Sequence, residues 1–94
     1  MAIRSFRGKW SEPLFNDVLP RGFSPNVFTA ARRKLILLSQ ARRLDDLRNP
    51  PANRLEALKG DRKGQHSIRI NDQWRICFIW SEGHAENVEV VDYH

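Results

Sequence analysis

The 94 residues carry sixteen Lys and Arg against eleven Asp and Glu, a formal net charge of +5, with 40% hydrophobic residues and a pI near 10.1. That length supports one domain, residues 1–94, with a single modest core. No stretch approaches the ~20 apolar residues of a membrane span and no signal-peptide pattern opens the chain, so a soluble, cytoplasmic protein with no membrane partner is expected.

A lone cysteine, Cys77, rules out an intramolecular disulfide and suits a reducing compartment. Neither His66 nor His84 stands at ligand spacing to Cys77 or to paired carboxylates, and no glycine-rich phosphate loop is present, so no metal and no cofactor is expected. Charge is unevenly spread: residues 1 to 43 hold nine Lys/Arg and two acids, residues 44 to 94 seven and nine. The surplus points to a polyanionic partner, nucleic acid or an acidic protein.

In chain order, Ile3 to Phe6 reads as a short strand. Ser11 followed by Glu12-Pro13 offers an N-cap with proline in the first turn of a short helix ending before Pro20. Ser24-Pro25 repeats that signal. Val27, Phe28, Ala31, Leu35 and Leu38 then recur at helical spacing and predict a second helix to about Ala41, its other face bearing Arg32, Arg33 and Arg42. Leu44 and Leu47 should pin the next turn to the core before Pro50-Pro51 stops any helix.

From His66 the period changes to two, which predicts a hairpin of His66 to Ile70 with Trp74 to Trp80. A two-residue Asn71-Asp72 turn would set Arg69 against Trp74. A three-residue loop, Asn71 to Gln73, sets Ile70 against Trp74, Ile68 against Ile76 and Arg69 against Arg75, keeping the apolar row intact. Opposed arginines repel by roughly 0.2–1 kcal/mol unless an anion lies between them or each turns away. Cys77 falls inside the apolar pattern and reads as core. Glu82-Gly83-His84 then turns the chain into a last strand, Asn87 to Val91, which runs into Asp92-Tyr93-His94. The expected architecture is α+β, two N-terminal helices packed on a mainly antiparallel twisted sheet.

The opening Ile3-Arg4-Ser5-Phe6, Arg54-Leu55, the block Leu58-Lys59-Gly60-Asp61-Arg62, Ser67-Ile68, Trp74-Arg75-Ile76 and the closing Asp92-Tyr93-His94 together make the chain resemble the HigB branch of the RelE/ParE toxin superfamily. The resemblance implies a small RelE-like domain that inhibits translation by cutting messenger RNA on the ribosome without a metal. It also implies a cognate HigA-like antitoxin with a helix-turn-helix, the pair repressing its own operator DNA. By position, Lys59, Arg69 and Arg75 would meet the charge on the scissile phosphate, and Asp92, Tyr93 and His94 would complete the catalytic set. Arg62 and Lys63 would contact the RNA backbone. Where some relatives have a histidine this chain has Glu56, a candidate base.

The chemistry needs those types. When a 2′-OH attacks its own phosphate, it requires a base, an acid for the departing 5′-oxygen and cations for the phosphorane charge, and His94 suits acid–base work near neutrality. Tyr93 could stack on a base, and Asp92 could orient His94. Two alternatives stay open: a ParE-like poison of DNA gyrase, and a binding module without catalysis. Arg32, Arg33 and Arg42 offer a docking face for an acidic antitoxin surface.

Overall fold

The computed structural model describes residues 1–92. The helical periodicity produces α1 (Ser11–Phe15) and α2 (Phe28–Gln40), and the period-two segments produce β2 (His66–Arg69), β3 (Trp74–Ser81) and β4 (His84–Asp92), preceded by a two-residue strand β1 (Glu56–Ala57). Single 3-10 turns at Pro25–Val27, Leu44–Arg48, Pro51–Asn53 and Gly60–Arg62 make the connections. The sheet runs β1-β2-β3-β4, antiparallel throughout. The α+β class holds, with α2 as the one long helix and α1 little more than a turn.

The three-residue hairpin loop is borne out. Ile68 pairs with Ile76 and Arg69 with Arg75, and the Ile70 amide donates to the Trp74 carbonyl at 2.9 Å. Asn71 makes this loop: its Oδ1 accepts from the Gln73 and Trp74 amides, both at 2.8 Å, a side-chain mimic of a backbone turn. Register then decides what is buried. Ile68, Ile70, Trp74, Ile76 and Phe78 share one face with Val88 and Val90, and they pack on Ala31, Leu35 and Leu38 of α2 and on Leu14, Phe23 and Leu47. Trp74 closes one end of this core against Trp10 and Phe23, with ring centroids 5.3 and 4.9 Å away.

Four expectations need correction. Ile3 to Phe6 is not a strand: it touches β4 through two isolated parallel bridges, Ile3 with Ala85 and Phe6 with Val88. The cause is a bulge, since β4 advances from Glu86 to Glu89 while β3 steps from Ile79 to Cys77, and Asn87 takes φ 52°, which breaks any continuous ladder. Ser11 is not a cap. The cap position falls on Trp10 with no side-chain bond, whereas the buried Ser11 hydroxyl donates to the Arg7 carbonyl and accepts the Val90 amide at 2.9 Å, tying α1 to β4. Helix α2 starts at Phe28, the Pro25 turn being 3-10. The last strand begins at His84, because Glu82 (φ 52°) and Gly83 (φ 80°) close a two-residue turn of the kind that matches strand twist.

Leu44 and Leu47 pack on the core as expected. Their turn is secured by Asp46, whose Oδ2 accepts from the Arg42 and Arg43 amides at 2.9 and 3.0 Å. Those two bonds hold the Asp46 carboxyl below its ordinary 3.8. A depressed folded-state pKa contributes stability above the unfolded value and loses it as pH falls through the folded one. Asp46→Asn is therefore expected to melt at lower temperature than wild type near pH 7, and thermal melts should show the gap closing as pH falls below about 4.

Candidate active site

Strand parity that buries Ile68 and Ile76 turns Ser67, Arg69, Arg75, Cys77 and Glu89 to the face away from α2. This outer face is only partly open. Arg62, in the turn after β1, donates to Glu89 Oε1 at 3.3 Å and to Gln65 Oε1 at 3.1 Å, so the turn docks on β4. Ser67 and Cys77 are fully buried. Burial pushes the Cys77 thiol up, against opposing fields from Arg62 and Arg75. It is a packed core residue, as expected, and not a thiolate nucleophile.

At the centre lies Arg75, its side chain 11% exposed. Nε donates to Ser67 Oγ at 2.8 Å and Nη2 to the Arg54 carbonyl at 2.8 Å, while Glu56 Oε1 lies 3.2 Å from Nη2. Glu56 pairs with Ser67 across β1 and β2, which carries its carboxylate to this guanidinium. The Arg54 carbonyl is aimed by local backbone. Arg54 takes φ 47° at the end of the Pro51–Asn53 turn, a left-handed conformation uncommon in a non-glycine residue. Buried Asn53 fixes that turn through Nδ2, which donates to the Leu47 and Asn49 carbonyls, and through Oδ1, which accepts from Lys34 Nζ of α2. Desolvation, then the charges of Arg33 and Arg69, lowers the Lys34 pKa.

The opposed arginines are thus drawn apart: Arg75 toward Glu56, Arg69 toward Asp72, to which its Nη2 donates within the hairpin loop. Lys59 is exposed two residues beyond β1, at the start of the turn that carries Arg62 and the exposed Lys63. Asp92 ends β4 opposite Trp74 and accepts from Gln73 Nε2 at 3.2 Å; parity sets it on the other side of the sheet from Arg75. Tyr93 and His94 lie outside the described residues. The fold therefore gathers Glu56, Arg75 and Arg62 over one sheet face and sets Arg69 and Asp92 at the hairpin end.

Ser67, Arg54, Asn53 and Lys34 carry no site role in the sequence reading, although Arg54-Leu55 and Ser67-Ile68 belong to the blocks behind the family resemblance. Ser67 has a geometric signal as well, because the hairpin register makes it the diagonal neighbour of Arg75, within reach of a long side chain. In the basic half, Arg32 pairs with Asp17 at 3.4 Å, and Arg33 and Arg42 are exposed. Among the described residues no group of three or more His, Cys, Asp or Glu could hold a metal, and no helix is long and apolar enough to cross a membrane.

A four-stranded antiparallel sheet backed by a long helix, with Arg62, Arg75, Glu56 and Glu89 gathered on its outer face, is the domain that the family match assigns to the RelE-like toxins. The chain belongs to the HigB-like family, the RelE-like toxins of type II toxin-antitoxin systems, whose pattern matches residues 4–94. It is 42% identical over 83 residues to toxin HigB-1 of Vibrio cholerae, covering 87% of each chain. It is 32% identical over 92 residues to the endoribonuclease HigB of Proteus vulgaris, covering 98% of this chain and 99% of that one. An uncharacterised Haemophilus influenzae protein is 35% identical over 63 residues, 67% of this chain and 62% of its own. The resemblance drawn from the sequence is thereby borne out, and membership in a type II system implies an antitoxin partner.

Proposed function

We propose that this toxin is a ribosome-dependent endoribonuclease that stops translation by cutting messenger RNA without a metal. The observation that carries the reading is Arg75, a guanidinium held by two fixed acceptors with the Glu56 carboxylate 3.2 Å away, a cation and a base side by side where a phosphodiester can lie. Glu56 takes the proton of the 2′-OH as that oxygen bonds to phosphorus. Arg75, Lys59 and Arg69 meet the charge that builds on the phosphorane. His94 protonates the 5′-oxygen as its bond to phosphorus breaks, leaving a cyclic 2′,3′-phosphate and a 5′-hydroxyl. Tyr93 stacks on a neighbouring base, Asp92 orients the terminal imidazole, and Arg62 and Lys63 contact RNA backbone.

The name of the Proteus vulgaris relative supports the same activity. The protein works in the cytoplasm, where a HigA-like helix-turn-helix antitoxin neutralises it and carries it to operator DNA, docking on the basic face of Arg32, Arg33 and Arg42. Net basicity makes ribosome binding weaken with added salt. The test is messenger cleavage in a purified translation system with and without ribosomes, comparing wild type with His94→Ala. Cutting that requires ribosomes and falls by roughly 100-fold or more in the variant is the expected result. Intact messenger together with inhibited supercoiling would instead assign the protein to gyrase.

A further inference from the structure

We propose that Ser67 is a positioning residue for Arg75, fixing the plane of the guanidinium that faces the phosphate; the inference rests on the ribonuclease reading for what Arg75 touches. A serine inside a strand flanked by His66 and Ile68 contributes little to packing, yet Ser67 is fully buried and its Oγ is the acceptor of the Arg75 Nε proton at 2.8 Å. The bond reaches diagonally across the hairpin, from β2 to β3, between residues whose register is set by the pairs Ser67 with Cys77 and Arg69 with Arg75.

Nε lies at the inner end of the guanidinium, so a bond there sets the plane in which the outer nitrogens lie. The second bond, Nη2 to the Arg54 carbonyl at 2.8 Å, reaches past β2 to the residues ahead of β1 and fixes the guanidinium at a second point. Both acceptors belong to braced parts of the fold: Ser67 to the central hairpin, Arg54 to the turn that Asn53 ties to Leu47, Asn49 and Lys34. Glu56, 53% exposed, is by contrast on the solvent side, where it can turn from the guanidinium to the 2′-OH. An arginine whose plane is fixed in this way meets a developing charge without reorganising during the reaction, which is what makes such a group effective.

The proposal is tested by a kinetic cycle. Ser67→Ala is expected to lower kcat for messenger cleavage by roughly 10- to 100-fold, the range for losing one hydrogen bond to a charged group, with KM for the programmed ribosome unchanged. In an Arg75→Lys background the same Ser67→Ala change should cost less than about twofold, since lysine has no Nε at that place to be held. An equal loss in both backgrounds would make Ser67 merely structural, and an undiminished kcat in Ser67→Ala would end the proposal. The Arg75 Nε proton gives an independent reading by NMR: slow to exchange with solvent in wild type, fast in Ser67→Ala. Equal protection in both proteins also overturns the inference. A wild-type protein that leaves messenger intact refutes the ribonuclease reading, and the catalytic part of the proposal with it; the Nε exchange rates then still decide whether Ser67 holds Arg75.

Discussion

Arg75→Ala is expected to lower kcat for messenger cleavage by roughly 100- to 1,000-fold, the cost of removing one preorganised donor from a developing oxyanion. The effect should be large because the guanidinium is both nearly buried and held in place. With 11% of its side chain exposed, it acts where water screens little, and its bonds to Ser67 and to the Arg54 carbonyl are formed before substrate arrives. The stability cost is smaller and has a different origin. Glu56 is half exposed and loses an ion pair worth about 0–1 kcal/mol, while the Ser67 hydroxyl loses its partner in a buried place, at about 1–3 kcal/mol. Arg75→Lys keeps the charge but cannot satisfy two acceptors in one plane, and it is expected to recover only a minor part of the lost rate. Single-turnover cleavage on programmed ribosomes, with thermal melts of the same preparations, separates the two costs. An Arg75→Ala protein that cuts at the wild-type rate would remove Arg75 from the reaction.

Phe78→Ala should have the largest effect on folding. Phe78 is fully buried on β3, the largest such side chain in the core, opposite His66 of β2 with the two rings stacked at 6.3 Å. It sits beside the bulge through which β4 passes, so little backbone adjustment is available to fill the space. Loss of the ring is expected to cost about 3–5 kcal/mol. A domain of this size holds about 5–15 kcal/mol in total, so the melting temperature should fall by more than about 12 °C. Chemical denaturation with an unchanged slope and a lower midpoint checks it. A drop of only a degree or two would mean that this part of the core collapses freely.

These two residues also show how much of the fold is legible in the sequence. Phe78 was legible as core because a period-two pattern with an apolar row admits only one side for it. The loop of Asn71 to Gln73 followed from the same constraint, since any shift by one residue would have placed Arg69 in the apolar row. Arg75 was legible as facing the other way, as was its opposition to Arg69. Its surroundings were not. Glu56 reaches it through β1, a strand too short to show any period, and the Arg54 carbonyl reaches it through a left-handed backbone that no pattern announces. Ser11 was misread for a related reason: a serine ahead of Glu12-Pro13 has the form of a cap, but its hydroxyl binds the Val90 amide, 79 residues away.

What the sequence by itself determined is therefore what depends on local periodicity and on residues kept together in short blocks. It set the α+β class, the hairpin register, the sides that Ile68, Ile76, Arg69 and Arg75 face, and, through blocks such as Leu58–Arg62 and Trp74–Ile76, membership in the HigB-like family. Tertiary structure alone decided which groups hold Arg75, that Arg62 closes onto Glu89, and that the opening segment touches β4 by two bridges instead of a strand. The physical reason is distance along the chain. Side-chain direction within a strand is fixed by its neighbours two residues away, whereas hydrogen-bond partners 8 to 79 residues apart are chosen only when the sheet, the helix behind it and the turns between them have closed.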